Sequence, residues 1–245
     1  MGLVETFCLT GLFAAVFIFG EKLFTGSRTH PRRVLSLAGG AAVAYVFVHL
    51  LPELARASET FVGLTTAQTL PWPEYRVYAA ALTGFVLFYG LEHMVHWSRH
   101  AGPRERSGED ARDPILVLHI GGFALYAGLI SYLMVRGIDE RAVPVLLYGI
   151  AMGLHFLSTG HSLHREHGRM YDVCGRWALA LAVLAGWVCG VLVELPKQIT
   201  ITLLGLVSGG VVMNSTIAEL PGEKDGRFIP FGIGAVAYAG LLLLL

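Results

Sequence analysis

The sequence predicts an all-α membrane protein of eight crossing helices, and three observations predict it. Of 245 residues, 54% are apolar and only 15% are charged, where a soluble domain carries about a quarter. Mean hydropathy is +0.60. Eight apolar runs divide the chain, and a crossing helix needs about 20 such residues. The runs are continuous rather than alternating, which argues against strands, and a helix satisfies its own backbone in lipid. A soluble enzyme and a disordered chain are excluded. Lys+Arg and Asp+Glu both number 18, so no basic excess points to nucleic acid. Cys8, Cys174 and Cys189 form no CxxC pair, so neither a disulfide framework nor a thiolate zinc site is expected.

The runs are, in order, Leu3–Gly20, Val34–Leu51, Val77–Trp97, Pro114–Val135, Ala142–Leu163, Trp177–Val193, Ile199–Leu220 and Phe228–Leu245. The first has no positive n-region, since Lys22 follows it, and reads as a retained helix rather than a signal peptide. Thirteen of the 18 Lys and Arg fall in the odd-numbered loops. The positive-inside rule then places those loops in the cytoplasm and both termini outside, in a plasma or inner membrane. The loop Ser98–Asp113 mixes both signs and reads as flexible. The whole of 1–245 reads as a single transmembrane domain. Gly149/Gly153, Gly186/Gly190 and Gly205/Gly209 form GxxxG pairs, which serve packing within the bundle or a homodimer. Glu5, Glu21 and Glu194 fall at run ends and need no function there.

The second and seventh runs look alike. Gly39-Gly40 precedes His49-Leu50-Leu51-Pro52-Glu53, and Gly209-Gly210 precedes Glu219-Leu220-Pro221. The offset is 170 residues, with a one-residue slip at the proline. The two helices enter from opposite sides, the pattern of an inverted repeat that builds a midplane site. Pro52 and Pro221 lack an N–H, so each either frees a carbonyl beside an ionisable residue or simply ends its helix.

Ionisable groups inside a bilayer are costly and usually functional. His119 lies about two turns inside the fourth run. His155 lies within the fifth, and Ser158, Thr159 and Ser162 share its helix face. That stripe suggests a watered path. Imidazole and carboxylate suit zinc or a similar metal. The candidate ligands are His119, His155, Glu219, His49 and His161. Glu53, Asn214, Glu92, His96 and His164 are candidates for steps into or out of that site. Glu92 and His96 are one turn apart and can pair. The segment His164-Arg165-Glu166-His167 reads as a solvated helix end, with a cytoplasmic metal exit as the alternative.

At this point the residues resemble the ZIP family of divalent-metal transporters. The eight runs, His49-Leu50-Leu51-Pro52-Glu53 in the second, and Ser208-Gly209-Gly210 through Glu219-Leu220-Pro221 in the seventh carry the resemblance. In the fourth and fifth runs one histidine of each family motif is present, His119 and His155. Phe123 stands at the family's acidic place in the fourth run, and Phe156, Thr159 and Gly160 stand in the fifth. The resemblance implies a 3+2+3 bundle with helices 1–3 and 6–8 as inverted repeats. It also implies a zinc-type ion as cargo moving toward the cytoplasm, with no fixed cofactor and with lipid as the surrounding partner. The missing carboxylates point to one site rather than two. They also keep open a protein of this shape that senses or scaffolds without transporting. An intramembrane metal hydrolase or a haem protein is a further alternative.

Overall fold

The structure, a computed structural model, describes the backbone of residues 2–24, 30–64, 72–100, 114–136, 145–217 and 227–244. Helix α1 (Leu3–Phe19) runs into a 3-10 turn, Gly20–Phe24. Helices α2 (His30–Tyr45) and α3 (Leu51–Gly63) are joined by a π turn, Val46–Leu50. A 3-10 turn, Pro73–Tyr75, leads into α4 (Arg76–His100). Then come α5 (Pro114–Val135) and α6 (Val145–His167). A second π turn, Tyr171–Gly175, opens α7 (Arg176–Leu192), and α8 (Lys197–Ile217) and α9 (Phe228–Leu243) follow. No strand occurs among the described residues.

Six helical stretches are long and apolar enough to cross a membrane: Leu3–Lys22, Arg33–Gly63, Pro73–Trp97, Pro114–Val135, Tyr171–Leu192 and Lys197–Thr216. Helix α9 is apolar but only 16 residues long. Helix α6 is long enough, but His155, Ser158, Thr159, His161 and Ser162 lower its hydropathy. These are the polar residues the sequence singles out. Leu82, Val86, Leu125, Leu181, Leu192 and Val236 are each more than half exposed. In water so much apolar surface is a liability; against lipid tails it is matched.

Pro52 does not end its helix, contrary to the second expectation; lacking an N–H, it still offers no donor to the preceding turn. The chain continues helically from Arg33 to Gly63. The N–H of Leu51 reaches the carbonyl of Val46 instead of the usual fourth residue back. One residue of extra winding thus absorbs the mismatch ahead of the proline. Pro221 lies outside the described residues.

The most extensive helix pairs are α4 with α8, α5 with α7, and α2 with α9, while α1 packs on α6 and α7. Glycines set these contacts. A Cβ on Gly186 would strike the carbonyl of Gly128, and one on Gly190 would crowd that of Tyr132. Both partners advance by four residues, so α5 and α7 run parallel. Gly205 and Gly209 likewise meet the carbonyls of Val77 and Ala81 on α4. These two GxxxG pairs therefore serve packing within the chain. Gly149 meets the side chain of Leu9, and Gly153 has no neighbour within 4 Å.

The α2–α9 and α4–α8 contacts copy one another. Gly40 faces Phe231 O and Ala235 N, and Gly234 faces Leu37 O. Gly209 faces Ala81 O and Phe85 N, and Gly84 faces Leu206 O. Leu37 to Leu206 and Gly40 to Gly209 are each 169 residues apart. Ala81 to Phe231, Gly84 to Gly234 and Phe85 to Ala235 are each 150 apart. The packing register is thus one residue short of the alignment of Gly39-Gly40 on Gly209-Gly210, and it agrees with the proline pair.

Candidate metal centre

The polar face of α6 and residues of α2, α4, α5 and α8 line a small cavity. Gly39, Glu92, Phe123, His155, Ser162 and Asn214 are among its lining residues. Its volume is about 30 Å³, room for roughly two waters. Ser215 also lines it and is buried, and its hydroxyl has no hydrogen-bond partner among the described residues. His155 is 3% exposed, and its Nε2 is 2.9 Å from the hydroxyl of Tyr126. Tyr126→Phe removes that bond and should cost about 1 kcal/mol. A drop in thermal midpoint with the fold retained would register it; an unchanged midpoint would mean the bond contributes nothing.

Beyond the cavity, at the end of α6, lies a close group of ligand-type atoms among the described residues. His119, Glu166 and His167 each offer one, and all three atoms fall within 4.8 Å of one another. His119 Nδ1 is 2.7 Å from His167 Nε2 and 3.7 Å from Glu166 Oε2. Two ligand atoms on one tetrahedral zinc stand about 3.3 Å apart, given zinc–nitrogen bonds near 2.0 Å. The two separations from His119 fall on either side of that value, by about half an ångström each. His119 is 1% exposed, and its other nitrogen, Nε2, lies 3.7 Å from Glu92 Oε1. A carboxylate behind a ligating imidazole fixes its tautomer and its aim. Glu92 is the carboxylate nearest that nitrogen, at a distance too long for a hydrogen bond, and would take that position by closing on His119.

Local structure explains how these residues meet. His119 and Phe123 are one turn apart on α5, and their rings touch edge to face at 5.1 Å. Ser162 donates to Glu166 Oε1 at 3.4 Å, one turn along α6. Gly168 then ends α6 with φ +50, the left-handed conformation that suits glycine at a helix C-terminus. Its N–H returns to the His164 carbonyl at 2.7 Å. Glu92 and Ser162 line the cavity and also contact members of the trio. They link the two regions.

Comparison of the chain with family models, curated proteins and solved structures finds no match. The geometry alone must carry the reading.

The structure separates the residues that the sequence gathers. His119 joins Glu166, His167 and Glu92; His155 bonds Tyr126 in the cavity. Phe123 lies on α5 between His119 and Tyr126, its ring 5.1 Å and 6.4 Å from theirs, and it lines the cavity. Asn214 lines the cavity. His49 sits in the first π turn, 3.4 Å from Glu53 Oε2, with its ring 5.1 Å from that of Tyr45; it neither lines the cavity nor joins the trio. His96 is exposed, while Glu92 on the same helix faces inward to His119. His161 Nδ1 pairs with Glu21 Oε1 at 3.0 Å, and His164 Nδ1 with Asp172 Oδ1 at 3.1 Å. Glu219 lies outside the described residues.

Glu166 and His167 are corrected from a solvated helix end to partners of a buried histidine. A signal for Glu166 existed: it follows His155, Thr159 and Ser162 on the same helical stripe. Glu21 is likewise more than a span-end acid, since it faces two histidines.

Proposed function

We propose that this chain is a membrane permease for a zinc-type divalent cation, with His119, Glu166 and His167 as the ligands at one station on the ion's path. The observation that carries the reading is a buried imidazole with a second imidazole and a carboxylate in coordination range, and a further carboxylate behind it. Two imidazoles and a carboxylate favour zinc or a similar borderline metal over magnesium or calcium. The acidic places that the ZIP family fills on the fourth and fifth helices are vacant here. Glu92 and Glu166 supply carboxylates from other positions, which offsets the charge of a dehydrated dication. Three ligands with room for water bind loosely enough to release, as a transport station must.

The matched α2–α9 and α4–α8 packings support an eight-helix bundle built from an inverted repeat. Helices α5 and α6 then carry the station between the two halves, and one helix group rocks against the other. The excess of Lys and Arg in the odd loops supports termini outside and the α6 end of the site on the cytoplasmic side. The ion moves from the His155 cavity past Phe123 to the trio. Phe123 also motivates a second reading, a bound ion that is not transported. Its ring packs against Phe88, Tyr126 and His119 at the neck between cavity and trio.

Zinc influx into dye-loaded proteoliposomes separates the two. Saturable influx above empty liposomes is expected; zinc binding without influx would leave only the second reading. On the same protein, Glu92→Gln should weaken zinc binding by about 10- to 100-fold, the usual effect of losing an orienting carboxylate. Unchanged affinity would remove Glu92 from the site.

A further inference from the structure

A second group of imidazoles and carboxylates lies on the flank of α6 that faces α1. Three elements deliver it. The 3-10 turn that extends α1 carries Glu21, α6 carries His161 and His164 three residues apart, and the π turn ahead of α7 carries Asp172. Glu21 reaches both histidines with different oxygens: Oε1 is 3.0 Å from His161 Nδ1 and Oε2 is 3.9 Å from His164 Nε2. The other nitrogen of His164, Nδ1, is buried and 3.1 Å from Asp172 Oδ1, an ion-pair distance without hydrogen-bond alignment. His164 therefore has a carboxylate behind one nitrogen and presents the other toward Glu21. This is the arrangement that orients a metal-ligating imidazole, and it repeats the relation of Glu92 to His119.

The backbone around the group is specialised to build it. The left-handed Gly168 reverses the chain, and Asp172 N–H bonds the Gly168 carbonyl at 3.2 Å. Extra π winding, often found at functional positions, then carries Asp172. The Tyr171 ring packs edge-on to His164 at 5.9 Å, and its hydroxyl donates to the Phe17 carbonyl at 3.4 Å. The π turn is thereby tied to both α1 and α6. All four side chains keep some exposure, 17% for His161, 24% for Glu21, 33% for His164 and 46% for Asp172, so an ion can reach them from water.

We infer that Glu21, His161 and His164 form a second divalent-cation site of zinc type, with Asp172 as the positioning residue behind His164. The His161–Glu21 separation already suits two ligands of one tetrahedral zinc; His164 faces the other oxygen of Glu21, and the three ligand atoms are not gathered within 4.8 Å as those of the trio are, so His164 has to move in when the ion binds. A water completes the coordination. The site is distinct from the His119 trio and shares no residue with it.

The test counts zinc ions bound per chain on metal-stripped protein in detergent, with chromatographic monodispersity as the folding check. Wild type should bind two. Glu21→Gln combined with His164→Ala should bind one, and His119→Ala combined with His167→Ala should also bind one. Asp172→Asn should weaken only the second site, by about 10- to 100-fold, and Asp172→Glu should restore it. If the Glu21 and His164 replacements leave the count unchanged, the inference is overturned, whatever the trio variants do. A fall in the trio variants alone would leave the function proposed above intact and sink this site. A measurement on the unsubstituted protein guards against misfolding: saturating zinc should protect His161 and His164 from diethylpyrocarbonate. Full modification of both under zinc would contradict the site.

Discussion

His119→Ala should lower zinc affinity at the trio at least about 100-fold, since even an orienting neighbour typically contributes up to that much. The variant removes one nitrogen from coordination range of Glu166 and His167 and the imidazole that Glu92 faces. It also leaves a buried void beside Phe123, which an alanine cannot fill. A loss of about 1–3 kcal/mol in stability is expected with it, so a folded preparation must be verified by chromatography before affinity is measured. His119→Gln keeps more of the volume and offers a weaker ligand, and should fall between the two. Wild-type affinity in His119→Ala would remove the trio as a metal station.

Gly209→Leu should prevent a properly packed bundle. The Cβ position at Gly209 coincides with the backbone of Ala81 and approaches that of Phe85. Neither is a side-chain end that can swing away. The α4–α8 pair would have to separate along its length, at a cost of at least about 3 kcal/mol, the upper end of overpacking penalties. Gly40→Leu should do the same to α2 and α9, where Phe231 O and Ala235 N stand equally close. Gly153→Ala is the control. It has no neighbour within 4 Å, and alanine favours helix over glycine by roughly 0.5–1 kcal/mol. The recovery of monomer after a heating step should fall sharply for the first two and hold or rise for the third. Equal recovery for Gly209→Leu would mean that α4 and α8 are not packed this way.

Much of the architecture is legible in the sequence because lipid imposes a simple length rule. Runs such as Pro114–Val135 match their helix residue for residue. The second run is underestimated, because Pro52 and Glu53 look like an end while a π turn lets the helix continue to Gly63. The burial of His119 and His155 is legible from their depth in apolar runs. Their partners are not. Phe123, set in the same apolar run, gives no sign that it would pack on His119 and line the cavity beside His155. Glu166 and His167 follow Arg165, so composition reads that segment as solvated, whereas burial at a helix end depends on what packs against it. Here α5 does, through His119. Glu21 is invisible for a similar reason: its contact with His161 spans 140 residues of sequence, and no local pattern encodes it.

The measurement that reaches the central claim most directly is the initial rate of zinc influx into dye-loaded proteoliposomes, wild type against the His119→Ala, His167→Ala double variant, both shown to be monodisperse. Saturable influx by wild type with the double variant at the empty-liposome rate is the predicted result. Equal influx by the two proteins, or none from folded wild type, would contradict a permease working through the trio.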